Sequence, residues 1–203
     1  MTLLEHIAKQ TPSIDLKGEF LFFCNAKVAT QSTVRGVLKD RVLVERNNPK
    51  EHREVLQSYS LSEIMDIFKF TIVRNPWDKA VSAFFFFQKR RGWKFIDRNE
   101  TFQNFVKTRL RMERIKHNLI RDHFDFQYPK AFFNGEVFVD FIGRLENIKH
   151  DWEIISSIIG CSPNLPHKNK SKHEPYRHYY DEETKAIIAD IYATDIELFG
   201  YSF

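Results

Sequence analysis

The segment that most constrains the fold is KFTIVRNPWDKAVSAFF, residues 69–85. It predicts an apolar strand that ends at Arg74, a stop at Asn75-Pro76, and a helix that carries Ser82. Asn before a helix, Pro at its first position and an acidic residue in its first turn are typical start signals. In α/β proteins, anions bind at the carboxyl ends of parallel strands and at helix N-termini. The segment therefore predicts an anion site around Arg74.

A second strand–loop–helix of the same kind, FLFFCNAKVATQSTVRGVL, lies upstream. Residues 20–24 predict a buried strand, residues 31–39 predict a helix, and Lys27 lies in the loop between them. Lys27 supplies a point charge, and the small Ala29 lets backbone N–H groups approach an anion closely. This is not a Walker A loop, because the glycines of GxxxxGK[ST] are absent and the lysine precedes the hydroxyls. Two such loops predict a ligand that is phosphorylated at both ends.

Strands alternate with helices along the chain. Further strands are predicted at residues 69–73 and 137–141, and helices at residues 60–68, 75–90, 101–121, 148–159 and 181–193. This alternation favours an α/β fold with a mostly parallel central sheet flanked by helices on both faces. With 203 residues, the chain is expected to form a single domain. Within it we expect an N-terminal extension (1–19), a basic helical insertion (88–121) and a basic loop (164–180).

Positive charge is concentrated in the insertion. Residues 88–121 hold eleven Lys or Arg against three acidic residues, a net +8 within a chain of net +4, so the remainder carries −4. A local cationic field of this kind concentrates anionic ligands, although a solvated helical face has the same composition. No nucleic-acid-binding motif accompanies the charge, so nucleic acid is an unfavoured partner.

Three observations concern the location of the protein. The apolar runs are far shorter than the roughly 20 residues of a membrane-spanning helix. The N-terminus MTLLEHIAKQTPS lacks the pattern of a signal peptide. Cys24 and Cys161 are the two cysteines, and Cys24 lies in an apolar strand, which favours a free thiol. We therefore expect a cytoplasmic protein.

Taken together, the two loops resemble those of the sulfotransferases, specifically the carbohydrate (family 2 type) branch that includes bacterial members. VRNPWDKAVSA, residues 73–83, matches that family's second motif almost position for position, and Lys27, Ala29 and Ser32 match its first loop. Further similarity lies in VDFIGRLENIKHDW, NKSKHEPYRHYYDEET and the C-terminal IELFGYSF. The resemblance covers residues 20–203. Two departures are Ala26, where the family usually has Pro, and Gln31, where Thr is common.

This resemblance implies a P-loop-like three-layer fold and a donor, 3′-phosphoadenosine 5′-phosphosulfate (PAPS), with no metal. It places the 3′-phosphate on Arg74 and Ser82. It places the 5′-phosphosulfate on the first loop, which comprises Lys27, Val28, Ala29, Thr30, Gln31, Ser32 and Thr33. Lys170 and Arg177, in the basic loop, are expected to belong to a flap over the nucleotide, with a plain solvated loop as the alternative.

The implied reaction is sulfuryl transfer to a hydroxyl, or less readily an amine, of a carbohydrate or glycosylated small molecule that itself carries negative charge. Lys27 would stabilise charge on the transferring group and the leaving phosphate. An alcohol acceptor benefits from a general base. His52 is one candidate for the base and His123 is the other; a surface residue and a helix-end histidine are the respective alternatives.

Two other functions remain compatible with the sequence: a phosphoryl transferase on a related fold, and a degenerate protein that binds nucleotides or polyanions. A phosphoryl transferase would need Mg²⁺ and an acidic ligand for it.

Overall fold

A computed structural model describes residues 1–29, 32–44, 47–90, 95–110, 118–166 and 174–203, with residues 118 and 119 described by backbone alone. The chain packs as two compact units, each built from two stretches of sequence. Unit 1 comprises Met1–Val73 and Pro129–Lys168, and unit 2 comprises Arg74–Tyr128 and Asn169–Phe203. The single-domain organisation with its extension, insertion and basic loop stays a prediction.

Unit 1 contains a five-stranded sheet. The strands in the described part of the chain are β1 (Ser13–Asp15), β2 (Phe20–Phe23), β3 (Val42–Leu43), β4 (Phe68–Val73), β5 (Phe132–Phe133), β6 (Glu136–Val137) and β7 (Phe141–Arg144). The central sheet has the order β3-β1-β2-β4-β7, and β5 and β6 form a separate hairpin. β2 is parallel to β4 and β4 to β7, while β1 is antiparallel to both of its neighbours. Four of the five strands therefore run in one direction, which confirms the predicted α/β class with a mostly parallel sheet.

Helices complete both units. Unit 1 has α1 (Leu3–Lys9), a single π-helical turn (Thr33–Val37), α2 (Pro49–Ser58) and α3 (Leu61–Asp66). Unit 2 has α4 (Pro76–Lys89), α5 (Phe102–Thr108) and α6 (Asn118–Phe124). Later in the chain follow α7 (Ile148–Ile159) in unit 1, then α8 (Glu182–Ile191) and α9 (Ala193–Phe199) in unit 2. No helix in the described ranges is both long and apolar enough to cross a membrane.

One apolar cluster of unit 1 lies on one face of the sheet. Because side chains alternate along a strand, Phe20 and Phe22 of β2 share a face, as do Phe70 and Ile72 of β4. Phe22 and Phe70 stack with ring centroids 4.6 Å apart. Trp152 and other apolar residues of α7 cover these residues. Each such fully buried side chain stabilises the fold by roughly 1.5–3 kcal/mol relative to exposure.

The core of unit 2 is built largely from phenylalanine. Phe84 and Phe87 of α4 pack with Phe105 and Phe124, and Tyr192 closes the cluster. Phe84 and Phe105 pack tilted with centroids 5.4 Å apart, whereas Phe87 and Phe124 stack with centroids 6.3 Å apart. Such pairs add stabilisation beyond the buried area. Phenylalanine side chains therefore form much of the core of this unit.

Most helix boundaries follow local chemistry that the sequence carries. Asn75 accepts a hydrogen bond from the Trp77 N–H at 3.0 Å and Pro76 occupies the first position of α4. Ser60 and Asp181 cap α3 and α8 in the same manner. Gly160 ends α7 with a φ of 61°. These helix starts and the end of α7 were predicted, and the structure confirms them.

The third strand was predicted wrongly. Residues 137–141 were expected to form it, but the sheet strand is Phe141–Arg144 and Val137 belongs to the hairpin. Asp140 explains the shift, because its carboxylate accepts a hydrogen bond from the Lys69 N–H at 2.7 Å and pairs with Lys69 Nζ at 3.0 Å. The Lys69 N–H is thus paired with a carboxylate instead of a strand carbonyl, although the Asp140 N–H still donates to the Lys69 carbonyl at 2.7 Å.

Two helical predictions also changed. The described part of the helix expected at residues 31–39 contains Ser32 in helical conformation and then a π-helical turn, Thr33–Val37, whose β-branched residues and Gly36 are poor α-helix formers. The helix expected at residues 101–121 is α5, which ends at Thr108, and a separate α6 that begins at Asn118. Residues 41–58, where no strand or helix was predicted, contain β3 and α2.

Candidate functional site

The first candidate anion loop follows β2 in unit 1. Lys27 and Ala29 both have positive φ angles, 67° and 62°, whereas the buried Val28 between them does not. Backbone that alternates between left-handed and right-handed conformations is typical of loops whose N–H groups bind anions. The Ala29 carbonyl accepts hydrogen bonds from the N–H groups of Ser32 at 2.8 Å and Thr33 at 3.0 Å. The loop is thereby closed onto the π-helical turn.

Buried polar contacts hold this loop against the sheet. The Asn25 side-chain amide donates to Thr71 Oγ1 at 3.1 Å and to the Ile72 carbonyl at 3.0 Å. Thr71 Oγ1 in turn donates to the Phe23 carbonyl at 2.7 Å, and the Lys130 ammonium donates to the Cys24 carbonyl. The sequence analysis missed these supporting residues. An Asn immediately after a buried strand was the available signal.

The remaining residues of the first loop divide into two groups. Ser32 and Thr33 are buried, with 4% and 0% of their surface exposed. Thr33 Oγ1 contacts the Ala29 carbonyl at 3.3 Å. Thr30 and Gln31, both predicted to bind the donor, lie outside the described residues.

The second candidate site begins unit 2. Arg74 follows β4 directly and is 7% exposed. Its Nε donates to Asp78 Oδ2 at 2.8 Å, one turn later in α4. Asp78 therefore orients the guanidinium through its Nε and neutralises part of its charge. Asp78 was noted in the sequence as a helix-start signal and not as a partner of Arg74.

Ser82 lies on the same helix and is 2% exposed. Among the residues that the structure describes, none forms a hydrogen bond with its hydroxyl. Buried polar groups in proteins nearly always have partners, so such a hydroxyl calls for an explanation. A phosphate oxygen is an acceptor that this hydroxyl fits. The assignment of Arg74 and Ser82 to a 3′-phosphate stays a prediction.

Gln127 fixes the backbone of Arg74. Its Oε1 accepts from the Arg74 N–H at 2.9 Å, and its Nε2 donates to the Arg74 carbonyl at 2.8 Å. Gln127 is itself fully buried. The Asp195 carboxylate accepts from the N–H groups of Gln127 and Tyr128, at 2.8–3.0 Å. Burial raises the pKa of Asp195, although Lys79 opposes this shift. Neither Gln127 nor Asp195 was a predicted site residue.

The two predicted bases have different surroundings. His52 is buried on α2, in unit 1, and its Nε2 lies 2.6 Å from the Pro12 carbonyl. Because a carbonyl can only accept, Nε2 carries the proton and Nδ1 is the nitrogen left to act as a base. His123, in unit 2, is partly exposed and stacks on Phe86 with ring centroids 4.8 Å apart. Both assignments stay predictions.

The basic loop is only partly described. Lys170 lies outside the described residues. Arg177 is exposed, and its guanidinium carbon lies 5.2 Å from the ring centroid of Tyr176 and 5.6 Å from that of Phe203. These cation–π contacts place Arg177 against the C-terminus within unit 2. Its role toward a nucleotide stays a prediction.

Within the described ranges, no group of three or more His, Cys, Asp or Glu side chains is arranged to hold a metal ion. The expectation of metal-free chemistry is untested by this observation and stays a prediction.

Fold and site together define an α/β protein with two candidate anion-binding regions, each at the carboxyl end of a parallel strand. A sequence profile of the sulfotransferase family matches residues 18–202. The chain therefore belongs to the sulfotransferase family, as its motifs predicted. Transfer of a sulfuryl group is the class of chemistry that this membership supports.

Comparison with curated proteins found a relative of unknown function. It is an uncharacterized protein of Archaeoglobus fulgidus that is 36% identical over 97 residues, covering 47% of this chain and 70% of the relative. No solved structure matches the chain. The relative's description thus adds no substrate.

Proposed function

We propose that this protein is a PAPS-dependent sulfotransferase that acts on a hydroxyl, or an amine, of a carbohydrate or glycosylated acceptor. The observation that carries the proposal is in unit 2. Ser82 has a buried hydroxyl without a hydrogen-bond partner in the described chain, and it follows the buried Arg74 by eight residues. A guanidinium and a hydroxyl are the donors that a 3′-phosphate needs.

The 5′ end of the donor is assigned to the Lys27 loop. The backbone turned by Lys27 and Ala29 supplies N–H donors, and Ser32 and Thr33 supply hydroxyls. PAPS supplies the sulfuryl group. The Lys27 ammonium would stabilise the negative charge that grows on the leaving phosphate. This assignment follows from the resemblance to a P-loop-like strand–loop–helix. In this chain a π-helical turn, Thr33–Val37, follows the loop.

The acceptor side rests on the family resemblance and on charge. His52 Nδ1 or the His123 imidazole would take the proton of the acceptor hydroxyl. The basic insertion, residues 88–121, would favour an acceptor that already carries negative charge. Arg177, with Lys170, would close over the nucleotide. Cys24 and Cys161 are both free thiols, which supports a reducing, cytoplasmic location.

Calorimetry without Mg²⁺ tests the proposal against its alternatives. A PAPS-dependent sulfotransferase should bind adenosine 3′,5′-bisphosphate tightly under these conditions. A phosphoryl transferase should instead bind ATP, and only after Mg²⁺ is added. A polyanion-binding protein should bind heparin and neither nucleotide. Failure of the bisphosphate to bind would contradict the proposal.

Lys27→Ala and Arg74→Ala should each abolish turnover with PAPS and leave the circular dichroism spectrum unchanged. Near wild-type turnover by either variant would overturn the role of that residue.

A further inference from the structure

Gln127 is a buried side chain that contacts the backbone of the proposed 3′-phosphate arginine. Its amide donates to the carbonyl of Arg74 and accepts from the N–H of the same residue, at 2.8 and 2.9 Å. An amide that pairs both groups of one residue reproduces the two hydrogen bonds of a neighbouring strand. Arg74 thus has its backbone fixed at the point where β4 has ended.

The segment that carries Gln127 is held by further buried polar groups of unit 2. The Asp195 carboxylate binds the N–H groups of Gln127 and Tyr128. The Lys79 ammonium donates to the Asp125 carbonyl, and the Tyr192 hydroxyl donates to the Phe124 carbonyl. Asp195 and Gln127 are fully buried, and Lys79 and Tyr192 are 2% exposed.

This arrangement constrains the direction of the arginine side chain. The path of a guanidinium depends on the φ and ψ angles of its own residue, because these angles set which side-chain rotamers are allowed. Nε of Arg74 is separately held by Asp78. With the backbone and Nε both fixed, the Nη groups have a defined direction before a ligand arrives, which lowers the entropic cost of binding.

We propose that Gln127 is a positioning residue that aims Arg74 at the 3′-phosphate, so that discrimination between nucleotides with and without this phosphate depends on Gln127. The inference rests on the proposed function. It goes beyond that function because the determinant of 3′-phosphate recognition is a residue that touches the arginine backbone and not the nucleotide.

The test compares two ligands on three proteins. The dissociation constants of adenosine 3′,5′-bisphosphate and adenosine 5′-phosphate are measured for wild type, Gln127→Met and Tyr192→Phe. Gln127→Met has a similar volume and removes both hydrogen bonds to Arg74. We expect it to weaken bisphosphate binding at least tenfold and to change binding of the 5′-phosphate by less than twofold.

Tyr192→Phe is the matched control. It removes a buried hydrogen bond to the same segment, at Phe124, without touching Gln127 or Arg74. It should lower the melting temperature and leave the ratio of the two dissociation constants within twofold of wild type. If Tyr192→Phe changes that ratio as much as Gln127→Met does, general loosening of unit 2 explains the effect and the positioning role is overturned.

The remaining outcomes are distinguishable. If Gln127→Met weakens the binding of both ligands equally, or leaves both dissociation constants unchanged, the ratio of the two constants stays as in wild type. Either result overturns the inference while the proposed function stands. A wild-type protein that binds both ligands equally overturns the proposed function and the inference with it. If Gln127→Met does not fold, Gln127→Asn replaces it; this variant keeps the amide but is one methylene too short to reach both groups, and the same loss is expected.

Discussion

Around the start of α4 the chain buries the guanidinium of Arg74, just before the helix, and the hydroxyl of Ser82, in its second turn. The cation is neutralised in part by Asp78, whereas no residue in the described ranges bonds the hydroxyl. An unsatisfied buried hydroxyl costs about 1–3 kcal/mol relative to a satisfied one. The fold does not need the hydroxyl of Ser82, and the family motif has Ser at this position. Ligand binding therefore explains this residue better than stability does.

Replacement of Ser82 separates these two roles. Ser82→Ala should leave the free energy of unfolding unchanged or slightly increased, because the hydroxyl has no bond to lose in the described structure. Affinity for adenosine 3′,5′-bisphosphate should fall about 10- to 100-fold, the value of one hydrogen bond to a charged group. Urea unfolding and calorimetry measure the two quantities.

Ser156→Ala is the control for that experiment. Its hydroxyl is similarly buried, but it donates to the Glu153 carbonyl at 3.0 Å. This variant should lose about 1 kcal/mol of stability and keep its affinity for the bisphosphate. A Ser82→Ala protein that behaves like Ser156→Ala would show that Ser82 is structural.

The two thiols provide a test of the first loop's surroundings. Burial raises the pKa of Cys24 to about 11, and Ser13 and Lys130 lower it only in part. Burial also raises the pKa of Cys161, to a smaller extent. At pH 8 both are mostly protonated, and iodoacetamide should modify Cys161 much faster than Cys24 in the native protein. Faster modification of Cys24 would mean that the strand end is open, contrary to the structure.

At the scale of elements, the Lys27 loop stores backbone strain. Residues other than glycine cost about 1–2 kcal/mol at positive φ, and this loop has two of them, at Lys27 and Ala29. Strain of this kind is characteristic of functional sites. The π-helical turn that follows is a second irregular element at the same place, and such turns are also frequent at functional sites.

Substitution at Ala29 tests whether the strained geometry matters. Ala29→Val should destabilise the protein by about 1 kcal/mol or more, because a β-branched residue is strongly disfavoured at positive φ. It should also weaken nucleotide binding through the 5′-phosphate. Ala29→Gly should be neutral or stabilising. Ala26→Val is the matched control, because Ala26 is in the same loop but has no positive φ; equal losses from both valine variants would contradict the role of the backbone angle.

The elements that sequence predicted are those with local causes. The caps Asn75, Ser60 and Asp181 bond residues two or three positions away, so their patterns are visible in the sequence. The third strand was misplaced because Asp140 pairs with Lys69, 71 residues earlier. Gln127 was missed as a site residue for the same reason, since it bonds Arg74 over 53 residues and Asp195 over 68. Long-range pairing of polar groups leaves no periodic signal.

At the scale of the whole molecule, the charge count overstates the cationic field of residues 88–121. Lys107 bonds Asp181 and Glu183, both outside that segment, at 2.8 and 2.7 Å. These contacts hold the pKa of Asp181 well below its usual range. Arg109 pairs with Glu100 at 2.8 Å, and its guanidinium also bonds the Phe95 carbonyl. Ion pairs within unit 2 therefore neutralise part of the positive charge of this segment. Less of that charge is available to attract an anionic acceptor.

The central claim is the proposal that the chain transfers sulfate from PAPS and that this transfer requires Lys27 and Arg74. The most direct measurement is the transfer of label from [³⁵S]PAPS to a panel of carbohydrates and glycosides. Wild type, Lys27→Ala and Arg74→Ala are compared under the same conditions, without added adenosine 3′,5′-bisphosphate. We predict that wild type labels at least one acceptor without added metal, and that both variants reduce the rate at least 100-fold. Transfer by wild type no faster than by Lys27→Ala would contradict the account.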